Sequence, residues 1–205
     1  MIGIDGTKDG WITAKYTGSS WEIDFYEKLT EIESNEIALI DIPLGLPEDE
    51  LRECDREARK FLTPERHYSI FNCPIRKAVY ADTYEEACDI NEKQTGKRIS
   101  KQSWNIVPKI KEADSYNGSL RLKESHPEVF FKSLDSESVK ESKNSEEGLE
   151  ARLNVLRQFG DVSTVKKFEK KNVSMDDVID AVVLSLGSEF EMKPIPLKPE
   201  VDSQG

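Results

Sequence analysis

The stretch IALIDIPLGLP (residues 37–47) decides the fold. It is almost continuously apolar, it has the length of a strand, and Pro43 and Pro47 close it. A strand with one wet face would alternate instead, so this run reads as a central strand buried on both faces. Upstream, MIGIDG (residues 1–6) is a short apolar strand ending in Asp-Gly. GWITAKYTG (10–18) and SWEIDFYEKL (20–29) alternate in part around the turn TGSS, so residues 1–29 read as a three-strand antiparallel meander. TEIESNE (30–36) reads as a short helix.

Downstream the pattern turns helical. PEDELRECDREARKFL (47–62) starts with Pro and acids and ends basic, as a helix does. DTYEEACDINEKQTG (82–96) reads as a helix capped by Asp82 and stopped near Gly96, and SKQSWNIVPKIKEADSYN (100–117) as one interrupted at Pro108. SLRLKESHPEVFF (119–131) returns to strand, and SVKESKNSEEG (138–148) is a polar loop. LEARLNVLRQFG (149–160) and SMDDVIDAVVLSLG (174–187) are the closing helices. The order βββ, α, β, helical insertion, β, α, α implies a mixed α/β sheet. Residues 1–192 then form a single domain, a helical insertion at about 48–118 caps a sheet edge, and 193–205 is a Pro-rich tail.

Bulk properties exclude several classes. No apolar run approaches the roughly 18 residues of a membrane span, and the N-terminus has neither a basic n-region nor a cleavage site, which predicts a cytoplasmic protein. Cys54, Cys73 and Cys88 are odd in number and lack CxxC spacing, so they read as reduced thiols. A net charge of −11 argues against non-specific coating of nucleic acid. The charge is uneven: residues 93–123 carry eight Lys or Arg against two acids. That segment is either a solvated surface or a phosphate-facing patch with Trp104 or Tyr116 available for stacking.

Four acids fall in comparable places. Asp5 ends the first strand, Asp41 ends the central one, and Asp177 and Asp180 lie three apart on one face of the last helix. If the first and fourth strands are neighbours, these acids meet beyond the strand ends, where sites of such sheets form. A cluster of that kind raises its pKa values or binds cations, and its hard oxygens suit Mg²⁺ or Mn²⁺. Each acid also has a structural account: a turn at Asp5-Gly6, backbone bonds at Asp41, and a capping box from Ser174 to Asp177. Asp180, set among Val178, Ile179, Ala181, Val183 and Leu184, requires a buried Lys, Arg or hydroxyl partner for such an account. An ammonium or guanidinium neutralising it, or a position far from Asp5 and Asp41, would leave only the architecture standing.

The ordered segments GIDGTKDGW, IDIPLGLP, RECDREAR, SIFNCPIR, SKQSWNIVPKI, ESHPEVFF, SKNSEEGLEAR and DDVIDAVVLS resemble a family of predicted RNase H-like nucleases, domain of unknown function 429. The resemblance runs from about residue 2 to 186. It implies an RNase H-like fold: a five-stranded mixed sheet, three antiparallel strands then two parallel ones, with the helical insertion after the fourth strand. It implies catalytic and metal-binding roles for Asp5, Asp41, Asp177 and Asp180, with Glu128 either a fifth ligand or a hydrogen-bond acceptor. It offers Arg59, Arg76, Trp104, Lys109 and Lys143 as substrate-binding residues and His126 as a proton shuttle. The expected chemistry is two-metal-ion hydrolysis of a phosphodiester, with two Mg²⁺ or Mn²⁺ ions and a nucleic acid or nucleotide-like substrate. Two alternatives stand beside it. One is an actin-like or sugar-kinase ATP-binding protein, whose first loop GIDGT resembles but shortens. The other is a non-catalytic binding module that keeps the fold.

Overall fold

The structure, a computed structural model, describes residues 1–198. Its strands are β1 (Ile2–Gly6), β2 (Trp11–Tyr16), β3 (Trp21–Tyr26), β4 (Ile37–Ile40) and β5 (Arg121–Glu124). Its helices are α1 (Glu53–Phe61), α2 (Arg76–Val79), α3 (Tyr84–Thr95), α4 (Lys101–Asn105), α5 (Val107–Asp114), α6 (Pro127–Leu134), α7 (Glu146–Arg157), α8 (Ser163–Lys167) and α9 (Met175–Ser185). The chain forms two compact units. One comprises residues 1–42, 64–66 and 117–192; the other comprises 43–63, 67–116 and, of the tail, 193–198. The remainder of the expected tail, 199–205, lies outside the described residues.

The first unit is an α/β structure on one five-stranded mixed sheet, in the order β3-β2-β1-β4-β5. β1 pairs antiparallel with β2 and parallel with β4, β2 pairs antiparallel with β3, and β4 pairs parallel with β5. Ala38, Leu39 and Ile40 of β4 are all buried, so successive residues on both faces are covered. That is the condition a continuous apolar run satisfies and an alternating one does not.

Register puts Gly3 opposite Ala14 and beside Leu39, and Asp5 opposite Ile12. Residues two apart on a strand share a face. Gly3, Asp5, Ile12, Ala14 and Leu39 therefore line one side, and Ile12, Ala14 and Leu39 belong to the main core there. That core is closed by Phe130 and Phe131 of α6, Leu153, Val155 and Leu156 of α7, Val165 of α8, and α9. α9 is buried at every position from Val178 to Ser185, as a helix without a polar face must be.

Gly3 sets how close α9 comes. A Cβ at Gly3 would lie 1.9 Å from the Ala181 carbonyl oxygen and 2.5 Å from the Ser185 nitrogen, both backbone atoms that cannot rotate away. The helix therefore sits directly on β1, two residues before Asp5.

The second unit is helical, α1 to α5, with a small core of Ile75, Ala78, Ala81, Ala87, Cys88 and Ile99. Buried polar residues tie its loops. Asp55 receives Arg52 at 2.5 Å and the Cys73 N–H at 2.8 Å. The Asn91 side chain accepts from Ile75 N–H at 3.0 Å and donates to the Lys97 carbonyl at 2.8 Å.

Several local expectations change. The strand expected over 119–131 is present as β5 only to Glu124, and from Pro127 the chain is helix: Pro127 takes the first turn, where its missing N–H costs nothing, and the His126 ring accepts the Glu128 N–H at 3.2 Å as the N-cap. The cap of α3 is Thr83, not Asp82. The helix expected from residue 47 starts at Glu53, and the one expected at 30–36 is a single 3-10 turn, Leu29–Glu31. α2 and α8 have four and five residues, too short for periodicity to reveal. No helix of the described residues is long and apolar enough to cross a membrane.

Gly3→Ala would force α9 off β1 or bend the strand. It should destabilise the protein by about 1–3 kcal/mol, measured as a lower denaturant midpoint at unchanged m-value; an unchanged midpoint would mean that the helix is free to shift.

Candidate active site

Strand register builds the site. Gly3 and Ile4 of β1 stand beside Leu39 and Ile40 of β4, so the next residues, Asp5 and Asp41, leave the two strand ends side by side. The Asp41 N–H donates to the Ile4 carbonyl at 3.0 Å, which continues the ladder to that point. α9, seated on Gly3, brings Asp180 to the same end. Asp5 and Asp180 are buried, at 8% and 2% exposure, and Asp41 is half-buried.

The three carboxyls are too close to ionise independently. Burial pushes Asp5 well up, and Asp41, Asp180 and Asp177 push it further, against a downward pull from Lys143. Burial raises Asp180 to about 7 despite Lys143, with Asp41 and Glu128 adding to the rise. Asp41 is raised to about 7 by burial as well; Lys143 opposes this, and Glu124 and Glu128 reinforce it. Asp177 is raised, chiefly by burial, against its bonds to Ser174.

Asp180 has a partner. The Lys143 ammonium lies 2.6 Å from its Oδ2 and 3.4 Å from Oδ2 of Asp176. Burial works against that charge, but Asp180, Asp5 and Asp176 overcome it and hold the ammonium above the ordinary lysine value. This is the structural partner that an innocent Asp180 requires. By the criterion set from the sequence, this ammonium withdraws Asp180 from the case for an enzyme and leaves Asp5 and Asp41, on which Lys143 also pulls, as what remains of it. Among the described residues nothing donates to the Asp41 side chain. Asp5 accepts only the Gly6 N–H, at 2.8 Å on Oδ1.

Asp177 is half explained as well. Its Oδ2 accepts the Ser174 N–H at 2.8 Å while Ser174 Oγ accepts its own N–H at 3.3 Å, the reciprocal capping box. Asp176 was missed by sequence reasoning. It is four residues before Asp180, one turn away on the same face, and that spacing was the available signal.

The remaining candidates are engaged elsewhere. Both Glu128 oxygens accept from Arg152 at 2.8 Å, and Arg66 is 3.5 Å away. A carboxylate held bidentately by a buried guanidinium is an ion-pair anchor, which answers to the hydrogen-bond acceptor among the two roles expected of Glu128. Arg59 donates to the Ile70 carbonyl at 2.8 Å and to Asn72 at 3.0 Å. Arg76 grips Asp114 at 2.7 Å and Glu48 at 3.2 Å. Trp104 packs against Tyr84, with ring centroids 5.8 Å apart, on the core of the second unit. Lys109 lies 3.9 Å from Glu112. The basic run 93–123 is divided, with Arg121 and Lys123 on β5 and the others in the second unit. Within it Arg98 is paired with Asp89 and Glu92, and Lys101 sits 3.4 Å from the centroid of the Tyr84 ring. Of the five residues expected to bind substrate, only Lys143 stands among the carboxylates.

Residues 3–191 match the family described as Protein of unknown function (DUF429). The chain belongs to the DUF429 family. No curated protein and no solved structure matches it. In this DUF429 chain the carboxylates suit a hard divalent cation by donor chemistry, but among the described residues no three of Asp5, Asp41, Asp177 and Asp180 bring ligand oxygens within 4.8 Å of one another. They present oxygen ligands alone, two of them side by side on adjacent strands, one buried and both with oxygens open.

Two outcomes are expected. Without divalent ions, the raised carboxyls bind more protons in the folded than in the unfolded chain between about 4 and about 7. Stability is then fullest at the acid end of that window and falls as pH rises through it. Asp41→Asn should flatten that fall and raise stability at pH 8 by about 1 kcal/mol, read from melting curves in chelator. Glu128→Gln strands the Arg152 charge and should cost about 3–5 kcal/mol by chemical denaturation, whereas replacing both partners with apolar residues recovers most of the loss.

Proposed function

We propose that this DUF429 protein is an RNase H-like phosphodiesterase dependent on Mg²⁺ or Mn²⁺. The single observation that carries the proposal is the open pair Asp5–Asp41 at the ends of two parallel neighbours, with Asp180 delivered beside it by α9. A five-stranded sheet with three antiparallel strands and then two parallel ones, and acids on the first strand, the fourth strand and a late helix, is what such an enzyme calls for. The sheet order and the positions of the acids here agree with it.

Asp5 and Asp41 would hold the cation, with Asp180 and the uncapped oxygen of Asp177 beside them. Bound there, the ion would supply a Lewis acid for a phosphoryl oxygen and greater acidity for a water. The chain's own contribution is pre-organisation. β1, β4 and α9 are packed elements that hold the carboxylates at one end of the sheet, although their oxygens would have to draw together to share an ion. Lys143 adds a positive charge where an anionic substrate would meet a negative cluster. Arg59 and Arg76, spent on contacts in the second unit, are not needed for this. The acidic chain, net −11, favours a small or well-shaped phosphodiester over long duplex.

One observation favours a different function. The Lys143–Asp180 pair is what a non-catalytic module would keep to neutralise a buried acid. Incubation with short single-stranded, duplex and branched DNA and RNA in Mn²⁺ separates the two. The enzyme should cleave at least one of them, and Asp5→Asn should reduce the rate at least about a hundredfold, as loss of a group central to the transition state does. Equal cutting by Asp5→Asn would mean a contaminant or a different site, and no cutting with any substrate together with no shift in melting temperature on adding Mn²⁺ would favour the module.

A further inference from the structure

We infer that Lys143 fills one of the cation positions of the carboxylate cluster, so that the site takes a single divalent ion, between Asp5 and Asp41, where the sequence predicts two. This rests on the metal-dependent function proposed above and specifies its stoichiometry.

The first support is the seating of the ammonium. It lies between two carboxylates one helical turn apart, 2.6 Å from Asp180 and 3.4 Å from Asp176. Bridging two carboxylates is the task otherwise given to a bound metal ion.

The second is that the lysine is carried by a fixed arm. Residues 140–145 join the 3-10 turn Ser136–Val139 to α7. Both the N–H and Oγ of Ser145 donate to the Ser142 carbonyl, at 3.0 and 2.8 Å. That carbonyl presses against Gly148, where a Cβ would fall 1.9 Å from it. Arg152, buried and locked by Glu128, donates to the Gly148 carbonyl at 2.9 Å and reaches the Glu141 carbonyl at 3.4 Å. The segment SKNSEEGLEAR is thus one device: a lysine, a serine N-cap, a glycine that lets the turn close, and an arginine that fastens it to α6. A surface lysine pairing by chance has no such support.

The third is what remains uncompensated. Asp5, at 8% exposure, keeps Oδ2 without a donor among the described residues, and Asp41 accepts no hydrogen bond from them. The ammonium answers Asp180, the capping box engages Asp177, and the two open carboxylates would carry two negative charges once a cation displaces their protons. One divalent ion balances them.

The test is Mn²⁺ binding to the full chain by calorimetry, with electron paramagnetic resonance to detect coupling between neighbouring ions. The wild type should bind one ion with no Mn–Mn coupling, and Asp5→Asn should weaken binding by at least about tenfold. Lys143→Met should open the second position and bind two coupled ions, while Lys143→Arg should still bind one. Two coupled ions in the wild type would overturn the inference and leave the metal-dependent function intact. No ion in the wild type would overturn both. A folded Lys143→Met, verified by circular dichroism, that still binds one ion would overturn the role given to the lysine. If Lys143→Met does not fold, the wild-type count decides alone.

Discussion

The close contact between α9 and β1 at Gly3 is the constraint on which the rest depends. A backbone carbonyl and a backbone nitrogen of the helix occupy the space of a missing side chain. With that contact, a largely apolar helix is buried against the sheet, and the acid in its middle meets the ends of β1 and β4 and the Lys143 ammonium. The carboxylate cluster is therefore a consequence of core packing. The hydrophobic effect supplies the drive, and burying Asp180 is a cost that the assembly must offset locally.

It is offset in two ways, one complete and one not. Lys143 meets Asp180 and Asp176 with a formal charge. Asp5 and Asp41 are met with nothing comparable, and their protonation is drawn toward neutrality instead. A protein selected for stability alone would place amides or apolar residues there.

Much of this was legible in the sequence, for identifiable reasons. The apolar run at 37–47 and the alternating segments before it report burial directly, so the sheet could be read. Asp180 was conspicuous because an acid in an apolar helix breaks the pattern. The helix at ESHPEVFF was not legible as such, because two adjacent phenylalanines suit a strand and a short helix equally, and Pro127 decides the matter only once the N-cap is seen. The partners of Arg59, Arg76 and Glu128 are 11 or more residues distant in the chain, beyond the reach of any local pattern. The lysine in the cluster stood in a polar segment that reads as an ordinary loop, and only the fold reveals where its side chain ends.

That loop contributes no strand and no layer to the sheet. The charge balance at the strand ends therefore depends in part on a segment outside the sheet. A descendant that altered Lys143 alone would keep the sheet and yet hold a differently charged cluster. The negative charges stand on the elements that make the shape, and the positive charge that answers them comes from a connecting loop, so their balance can be revised by mutation without rebuilding the sheet.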